Sequence, residues 1–475
     1  MSEWERFTRE QLLVVVAEQV EVIRTQDARI EVLAVQVAAL TARLGQNSGN
    51  SSLPPSSDRF TGPKRERRAR STRKPGKQPG APGATLEQVS EPDVVIEHVP
   101  ASCTGCGAGL DGAVDVGVVV RQVHDIPLVT VGITEHRMRK RVCTCGQVST
   151  APAPAGVDAP ACYGPNLRAV AVYLVVFQHV PVERATFLIA DLCGASVSTG
   201  WVSAQVARAA GSLVEVEALI KTLITAATVL GVDETTVNVS GTKQWLHVAR
   251  TDLLTAYHLH TSRGRTAVNE FGVLPAYAGT VVHDALSVYD GPTYAGATHA
   301  LCGAHLVRDL TAVAEQFPDA IWPDQARRAL LDLNTAARQA RAEARTSIDA
   351  ATLEQHLHLF RHAVLVGLAQ HRRAAGRKQS KARNLLQRLR DRETEVLRFA
   401  HDLAVPFTNN GSERDLRPVK TQIKISGCHR ATTGAKAWLR VRGYISTVRK
   451  HSDDVMVALR DAITGTPWQP PTPAT

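Results

Sequence analysis

The apolar run Thr228-Val229-Leu230-Gly231-Val232 ends at an acid, Asp233, and this stretch decides how the chain folds around it. A second apolar run, 279–283, ends in the same way at Asp284. Short β-branched runs of this kind are typical of buried parallel strands. Two acids are therefore expected at the ends of two strands, although an isolated Asp in that position is also a common turn former.

A third acid, Glu413, follows Asn409-Asn410 and opens a strongly basic segment. Asn410 is spaced to cap a helix, with Glu413 completing a capping box three residues later. Such a cap is compatible with catalysis because it would fix the carboxylate at the start of the helix. Carboxylates are the ligands that Mg²⁺ and Mn²⁺ prefer, so the three acids together could hold two divalent ions against a phosphodiester.

The order of the predicted elements places these acids in a recognisable frame. Strands are expected at 229–239, 244–250 and 254–260, followed by a helix and the strand that ends at Asp284. A long helical stretch then separates this strand from the helix that carries Glu413. This is the order of an RNase H-like core, here with a first part at 227–320, an all-helical insertion at 321–402 and a C-terminal part at 403–463. The fold class predicted is multidomain α/β.

Length and charge restrict the function further. A chain of 475 residues is expected to form two to four domains, and its net charge of +10 indicates a polyanionic partner. Two blocks carry most of this charge, 64–77 and 413–450, and both predict contact with DNA phosphates. The candidate DNA-binding residues are Lys64, Arg65, Arg67, Arg68, Arg414, Arg417, Lys420, Lys424 and Arg430. The acidic N-terminus and the absence of a long apolar run predict a cytoplasmic protein with no membrane partner.

Residues 1–45 are expected to form a coiled-coil helix, because apolar residues recur at spacings of three and four between 9 and 44. This pattern predicts a homo-oligomer, while a helix that packs back on its own chain fits the pattern equally well. Residues 46–92 are polar, Pro-containing and basic, and are predicted to be a flexible linker.

Four cysteines suggest a structural zinc ion. They occur as two close pairs in a segment, 93–150, where strands are expected at 94–96, 116–121 and 134–142. Four thiolates on two turns suit tetrahedral Zn²⁺ and predict a zinc-ribbon-like domain, although the second pair is one residue shorter than usual and four unliganded cysteines remain an alternative. The proposed ligands are Cys103, Cys106, Cys143 and Cys145.

Residues 151–226 are predicted to be helical. Between 183 and 206, two helices separated by a turn at Cys193-Gly194-Ala195 match helix-turn-helix spacing, which predicts a DNA-binding region. Any αα-hairpin would give a similar pattern. The Pro-rich end, 464–475, is predicted to be a disordered tail. Cys302 and His305 could bind metal, but a packed cysteine and a histidine in a capping turn are the favoured interpretation.

Several motifs resemble the insertion sequence 66 family of bacterial DDE transposases. They are the polar stretch 47–58, Val232-Asp233-Glu234-Thr235, the segment 302–308 and above all 409–418. The resemblance implies that Asp233, Asp284 and Glu413 form the catalytic triad and hold two Mg²⁺ or Mn²⁺ ions. It also implies DNA as partner, at element ends and target, and small accessory proteins in many members. The chain departs from the family at Ala285, where a glycine is usual, in the shortened second cysteine pair and in 424–430.

The expected function is therefore DNA strand cleavage and strand transfer at the ends of an insertion sequence. Water would first free a 3′-hydroxyl at the element end, and that hydroxyl would then attack target DNA in the same in-line geometry. Two alternatives stay open at this point. One is a catalytically decayed or domesticated DNA-binding protein, and the other is an RNase H-like nuclease that cleaves without joining.

Overall fold

The computed structural model describes residues 8–44, 86–126, 129–373, 376 and 378–472. Its centre is a mixed five-stranded sheet. The strands are β3 Val229–Val239, β4 Thr242–Arg250, β5 Thr255–His260, β6 Thr280–His283 and β7 Thr298–Leu301. They follow the spatial order β5-β4-β3-β6-β7. The first three in sequence form the predicted antiparallel meander, and the last two run parallel to β3.

The register of the two central strands brings the two predicted acids side by side. In the parallel pair β3–β6, Leu230 is opposite Val281 and Gly231 is opposite Val282. Two residues further along both strands, the same register places Asp233 opposite Asp284. Because opposite residues of paired strands point to the same face of the sheet, the two carboxylates lie on one face, side by side.

Helices account for most of the remaining described structure, in agreement with the predicted helical regions. Before the sheet they are α1 Arg9–Leu44, α2 Pro165–Val172, α3 Val182–Cys193, α4 Thr199–Ser212 and α5 Val214–Thr225. Between the strands and through the insertion they are α6 Arg265–Phe271, α7 Gly303–Gln316, α8 Trp322–Ala342, α9 Ala350–Gln370, α10 Lys381–Asp391, α11 Glu393–Val396 and α12 Arg398–His401. The last three are α13 Asn410–Ser426, α14 Thr432–Lys450 and α15 Val455–Thr464.

Two apolar cores hold these elements together. The first joins β3, β4 and β5 to α2, α3, α4 and α5 and to α14 and α15. The second lies between β6, β7, α7 and the insertion, where Trp322, Leu333 and Phe360 are fully buried. The insertion therefore has apolar packing of its own and also packs on the edge of the sheet through α7.

The helix pair predicted at 183–206 is present as α3 and α4. α3 ends at Gly194, whose φ of 68° gives the left-handed conformation that terminates many helices. Ser198 caps α4 by accepting a hydrogen bond from the backbone N–H of Trp201. The local sequence signals thus determine where both helices end and begin.

The cysteine segment contains less regular structure than expected. Residues 94–96 and 116–121 do not form strands, and only the end of the third predicted strand pairs, as β1 Lys140–Val142 with β2 Val148–Thr150. Val94 and Val116 are 73% and 96% exposed. β-branched residues favour strands where they pack against neighbours, and here they have no core to pack on.

The chain end is also more ordered than predicted. Residues 465–472 continue from α15 without regular secondary structure, and the ring of Trp468 lies 5.3 Å from that of His451. Pro470 is buried. The prediction of disorder is therefore wrong for this part, because a tryptophan and a proline supply apolar surface that packs on α14.

Within the part of the chain that the structure describes, no helix is both long enough and apolar enough to cross a bilayer. The predicted basic linker falls largely outside the described residues, as do Lys64, Arg65, Arg67 and Arg68.

Candidate active site

Asp233 lies in an electrostatic environment that opposes its ionisation. Burial is the main cause that raises the pKa of its carboxyl group to about 8, and the neighbouring charges of Glu234, Asp284 and Glu413 contribute to this rise in that order of importance. The backbone N–H of Glu234 donates a 2.8 Å hydrogen bond to the Asp233 carboxylate and partly offsets this effect. The three acids predicted from the sequence are thus close enough to influence one another's charge.

Glu413 reaches this cluster because the start of α13 is fixed directly against β3. Asn409 donates from Nδ2 to the carbonyl oxygen of Val232 at 2.6 Å and accepts from Ser412 Oγ at 2.7 Å. Gly231 makes this approach possible, since a Cβ there would lie 2.4 Å from Asn409 Oδ1. The predicted capping box at Asn410 is therefore wrong: Asn409 is the N-cap residue, and its side chain bonds the strand and the Ser412 hydroxyl but no backbone N–H of the helix.

A buried ion cluster fixes the next turn of α13. Asp415 accepts from Lys450 Nζ at 2.8 Å and lies 3.3 Å from Arg250 Nε. Thr255 also donates to this carboxylate. Burial lowers the pKa of Lys450 to about 8, although the charge of Asp415 acts in the opposite direction. Because both partners are largely buried, this cluster resists displacement of the helix that carries Glu413.

Two side chains of α7 also face the acids. Arg308 donates to Glu413 at 3.3 Å. Burial lowers the pKa of His305, and so does Arg308, whereas the charges of Asp284 and Glu413 raise it. His305 Nδ1 and Arg308 Nε are buried and have no hydrogen-bond partner within the described structure.

Cys302, just before α7, has a packing role. It is buried, and its sulfur accepts a 3.1 Å hydrogen bond from the backbone N–H of Asn409. This bond joins α7 to the start of α13, in agreement with the favoured interpretation of a packed cysteine.

Glu234 is an acid close to the cluster that is already engaged. Its side chain is 1% exposed, and it accepts hydrogen bonds from Arg263 Nε at 2.9 Å and from the Tyr289 hydroxyl at 2.6 Å. Asp233 and Asp284, in contrast, form no ion pair with any described basic residue. Asp284 directly follows β6 as predicted, whereas the prediction that Asp233 ends its strand is wrong, because β3 continues to Val239 and pairs Asp233 with Val248 of β4. These two aspartates are the acids of the cluster that have no cationic partner among the described residues.

A more compact set of potential metal ligands lies nearby. In the described ranges, one group of three such atoms falls within 4.8 Å, from His283, Asp290 and His299. These groups already bind each other or the protein: the two imidazoles hydrogen-bond at 3.0 Å, and Asp290 pairs with Arg392 at 2.9 Å. The ligand atoms of Asp233, Asp284 and Glu413 do not all lie within that distance of one another.

The basic residues of α13 surround Glu413. At 100° per residue, Glu413, Arg417, Lys420 and Lys424 fall within about 60° of one another around the helix, and Arg414 lies at the border of the same face. All four basic residues are exposed, as is Arg430 beyond the end of α13. The charge of the block 413–450 is nevertheless not all on the surface.

Two basic residues of that block point inward on α14. Arg440 pairs with Glu217 at 2.6 Å. Arg442 is 8% exposed and lies over the ring of Phe177 at 5.0 Å. These arginines stabilise the packing of the C-terminal helices and are not free to meet a polyanion.

The cysteine pairs each form a tight turn. The pKa of the Cys103 thiol is lowered first by the backbone N–H of Cys106 and then by that of Gly105, and the Cys143 thiol is affected in the same way by Cys145. The two turns are not drawn together, since no three of the four sulfurs lie within 4.8 Å in the described structure.

Comparison with known families agrees with this arrangement. A family model described as Transposase IS66 family matches residues 160–437, more than half of the chain and all of the elements that carry the three acids. Transposases are DNA-processing enzymes, and this is the class that the match defines. The chain belongs to the Transposase IS66 family, which confirms the resemblance noted from the sequence motifs.

A second model, a family of unknown function (DUF6444), matches residues 8–87 and so covers α1 and most of the predicted linker. A comparison with curated proteins gives no significant match.

Sequence reasoning did not assign a role to several residues that position the site. Arg308 was visible as the last residue of the motif 302–308, three residues after His305 on the same helix face. Asn409 and Asp415 were visible only as neighbours of Glu413. Their partners, Val232 and Lys450, are far away in sequence, and no local signal connects them.

Proposed function

We propose that this transposase performs metal-dependent DNA strand cleavage and strand transfer with Asp233, Asp284 and Glu413 as its catalytic acids. One observation carries the proposal. Burial and the neighbouring acids together raise the pKa of Asp233 to about 8, and no described basic side chain forms an ion pair with Asp233 or Asp284. Perturbed ionisation of this kind clusters at functional sites.

The donor atoms fit divalent metal ions. Carboxylate oxygens are hard ligands that suit Mg²⁺ or Mn²⁺, and those of Asp233 and Asp284 have no basic partner in the described structure. Bound ions would make the attacking oxygen a better nucleophile and would stabilise the negative charge on the leaving oxygen. They would also remove the repulsion that otherwise disfavours ionisation of Asp233.

The protein's own residues would supply position and charge. Asn409 and Cys302 hold the start of α13 beside β3, so that Glu413 faces the two aspartates. Arg308 binds Glu413 and limits its freedom. Such prepositioning is the main contribution a protein makes to phosphoryl transfer. The strand order supports an RNase H-like core, with Asp233 on the central strand β3 and Asp284 directly after the adjacent parallel strand β6.

The exposed basic face of α13 would hold the DNA. Arg414, Arg417, Lys420 and Lys424 lie next to Glu413, so phosphates bound to them would run beside the metal-binding acids. Arg430 would extend this contact. The α3–α4 pair would provide a second DNA-binding element of the helix-turn-helix type.

Strand cleavage and joining can be tested directly. Purified protein with Mg²⁺ and a duplex that carries the element end should nick the strand and join a pre-cut 3′-hydroxyl end to target DNA. Asp284→Ala should abolish both reactions, and full strand transfer by that variant would refute the assignment. Cleavage without joining would favour the nuclease alternative. DNA binding with neither reaction would favour a decayed copy.

Three further features remain proposals. The heptad pattern of α1 supports a homo-oligomer, which light scattering of the full chain would test. The spacing of the two cysteine pairs in the sequence supports one structural Zn²⁺ bound by Cys103, Cys106, Cys143 and Cys145, and such a site would require the two turns to come closer together when the ion binds. Metal analysis of wild-type protein and of Cys103→Ser should show the loss of about one zinc ion per chain, as that site would require. Accessory proteins would be found by co-purification.

A further inference from the structure

The helical insertion has a marked charge asymmetry. Residues 322–354 contain five basic and five acidic residues, whereas residues 355–390 contain nine basic residues and no acid. This second half is as basic as the block around Glu413. A solvated helical surface ordinarily carries both signs, as the first half does.

Several of these basic residues have structural partners. Arg383 donates from Nη1 to the carbonyl oxygens of Leu368 and His371, which closes the connection between α9 and α10. Three others form ion pairs: Arg361 with Glu393, Arg388 with Asp309, and Arg390 with the next residue of α10, Asp391. These four arginines therefore already have partners within the protein.

Of the other five basic residues, Arg377 lies outside the described residues. The remaining four form what we call the insertion cluster: Arg372, Arg373, Lys378 and Lys381. All four are exposed and lie on or beside the connection from α9 to α10. None of them pairs with an acid within the described ranges. Four cations without an acidic partner, on or beside one short connection, create a positive potential that favours binding of an external polyanion.

The insertion cluster is linked to the catalytic acids through α7. Arg308 near the start of α7 binds Glu413, and Phe317 just beyond its end packs on His371, with ring centres 4.9 Å apart. The nine residues from Arg308 to Phe317 correspond to about 13 Å along the helix. At 3.4 Å per base pair, this equals about four base pairs of duplex DNA.

We propose that the insertion cluster is a second DNA-backbone contact of this transposase. It would bind phosphates about four base pairs away from the strand that is cut, and it would orient the duplex across the three acids. This inference rests on the proposed function for its biological meaning. The binding itself requires only charge and position, so it can be tested separately from catalysis.

The test compares DNA binding by the full-length protein at several NaCl concentrations. The probe is a 40-base-pair duplex of arbitrary sequence, measured by fluorescence anisotropy in EDTA so that no cleavage occurs. The variants are Arg372→Gln with Arg373→Gln, and Lys378→Gln with Lys381→Gln. Each pair should weaken binding at low salt at least fivefold and reduce the slope of log K against log salt by about 1 to 2, because each lost phosphate contact removes about 0.9.

The control removes two exposed arginines from the balanced half of the same insertion, Arg328→Gln with Arg338→Gln. This variant loses the same formal charge but should bind with nearly the wild-type slope. Thermal unfolding of all variants should match the wild type, since the changed side chains are exposed.

The outcomes distinguish the two proposals. Wild-type affinity and slope in both cluster variants would overturn the insertion contact and leave the catalytic assignment untouched. An equal loss in the Arg328/Arg338 control would show that only net charge matters and would also overturn it. Failure of the wild type to cleave an element end, with a normal salt effect of the cluster variants, would instead remove the proposed catalytic function.

Discussion

Asp233→Asn should make the metal-free protein more stable while destroying its activity. The substitution removes a carboxylate that folding places among other acids, and Asn keeps the side-chain oxygen that accepts the Glu234 N–H. The pKa of Asp233 in the folded chain is about 8, compared with 3.8 for a free aspartate. A group with a raised folded-state pKa contributes stability at low pH and loses it as the pH rises towards that value.

The size of the effect follows from this difference. At pH 7 the unfolded carboxyl group is ionised and the folded one is mostly protonated. The pH is then about three units above the pKa of the unfolded state but below that of the folded state, and ionisation over these three units stabilises only the unfolded state. Each unit corresponds to about 1.4 kcal/mol, which gives about 4 kcal/mol as an upper value. Asp233→Asn should recover most of this free energy of unfolding at pH 7 and much less at pH 5, where fewer units separate the two states.

The assay is urea unfolding followed by tryptophan fluorescence, in EDTA, from pH 5 to pH 8. A matched control is Asp191→Asn, which neutralises an exposed aspartate on α3 and should change stability by less than about 0.5 kcal/mol. Mg²⁺ should then stabilise the wild type more than Asp233→Asn, since a ligand stabilises only the state that binds it. Equal or lower stability of Asp233→Asn at pH 7 would refute the claim that burial and the neighbouring acids disfavour the ionised Asp233 carboxylate.

Other substitutions test how the site is positioned. Gly231→Ala would place a Cβ 2.4 Å from Asn409 Oδ1 and should displace α13, lowering the cleavage rate at least tenfold in a nicking assay; an unchanged rate would contradict the role of this contact. Asp415→Asn leaves Lys450 buried without its carboxylate and should cost about 3 kcal/mol in urea unfolding, and a loss below about 1 kcal/mol would argue against the cluster. Ala285→Gly should gain up to about 1 kcal/mol of unfolding free energy, because Ala285 has a φ of 69° that glycine adopts without strain, and a loss would count against this backbone conformation.

The sequence predicted the sheet well because its signals are local and strong. The run that ends at Asp233 and the run that ends at Asp284 are both apolar and β-branched, and they form the first part of β3 and all of β6, which pair in parallel. The β-branched run 94–96 gave the same kind of signal but forms no strand, because its side chains have no apolar surface to pack against. Trp468 shows the opposite case, in which a Pro-rich end packs because one large ring finds a partner.

The composition of the site was less predictable than its acids. The three carboxylates stand out by position and by motif, whereas Asn409, Arg308 and Lys450 act through partners separated by more than 30 residues in sequence. The insertion cluster was hidden for a different reason. Charge summed over the whole helical insertion averages a neutral half with a strongly basic half, so the contrast appears only when 322–354 and 355–390 are compared.

At Ala285, a departure from the family motif coincides with an unusual backbone conformation. The sequence showed it as a departure from the family, which usually has glycine after the second aspartate. The structure gives that position a left-handed backbone conformation, with φ of 69°, directly after Asp284. The conformation is the one that favours glycine, so the family preference has a physical basis and this chain tolerates a strained alanine there.

The most direct test of the catalytic assignment is anomalous diffraction from crystals of the protein soaked with Mn²⁺ in the presence of an element-end duplex. We predict manganese between the carboxylates of Asp233, Asp284 and Glu413, as two peaks about 3.5–4 Å apart. Manganese bound instead by His283, Asp290 and His299, with none at the three acids, would contradict it.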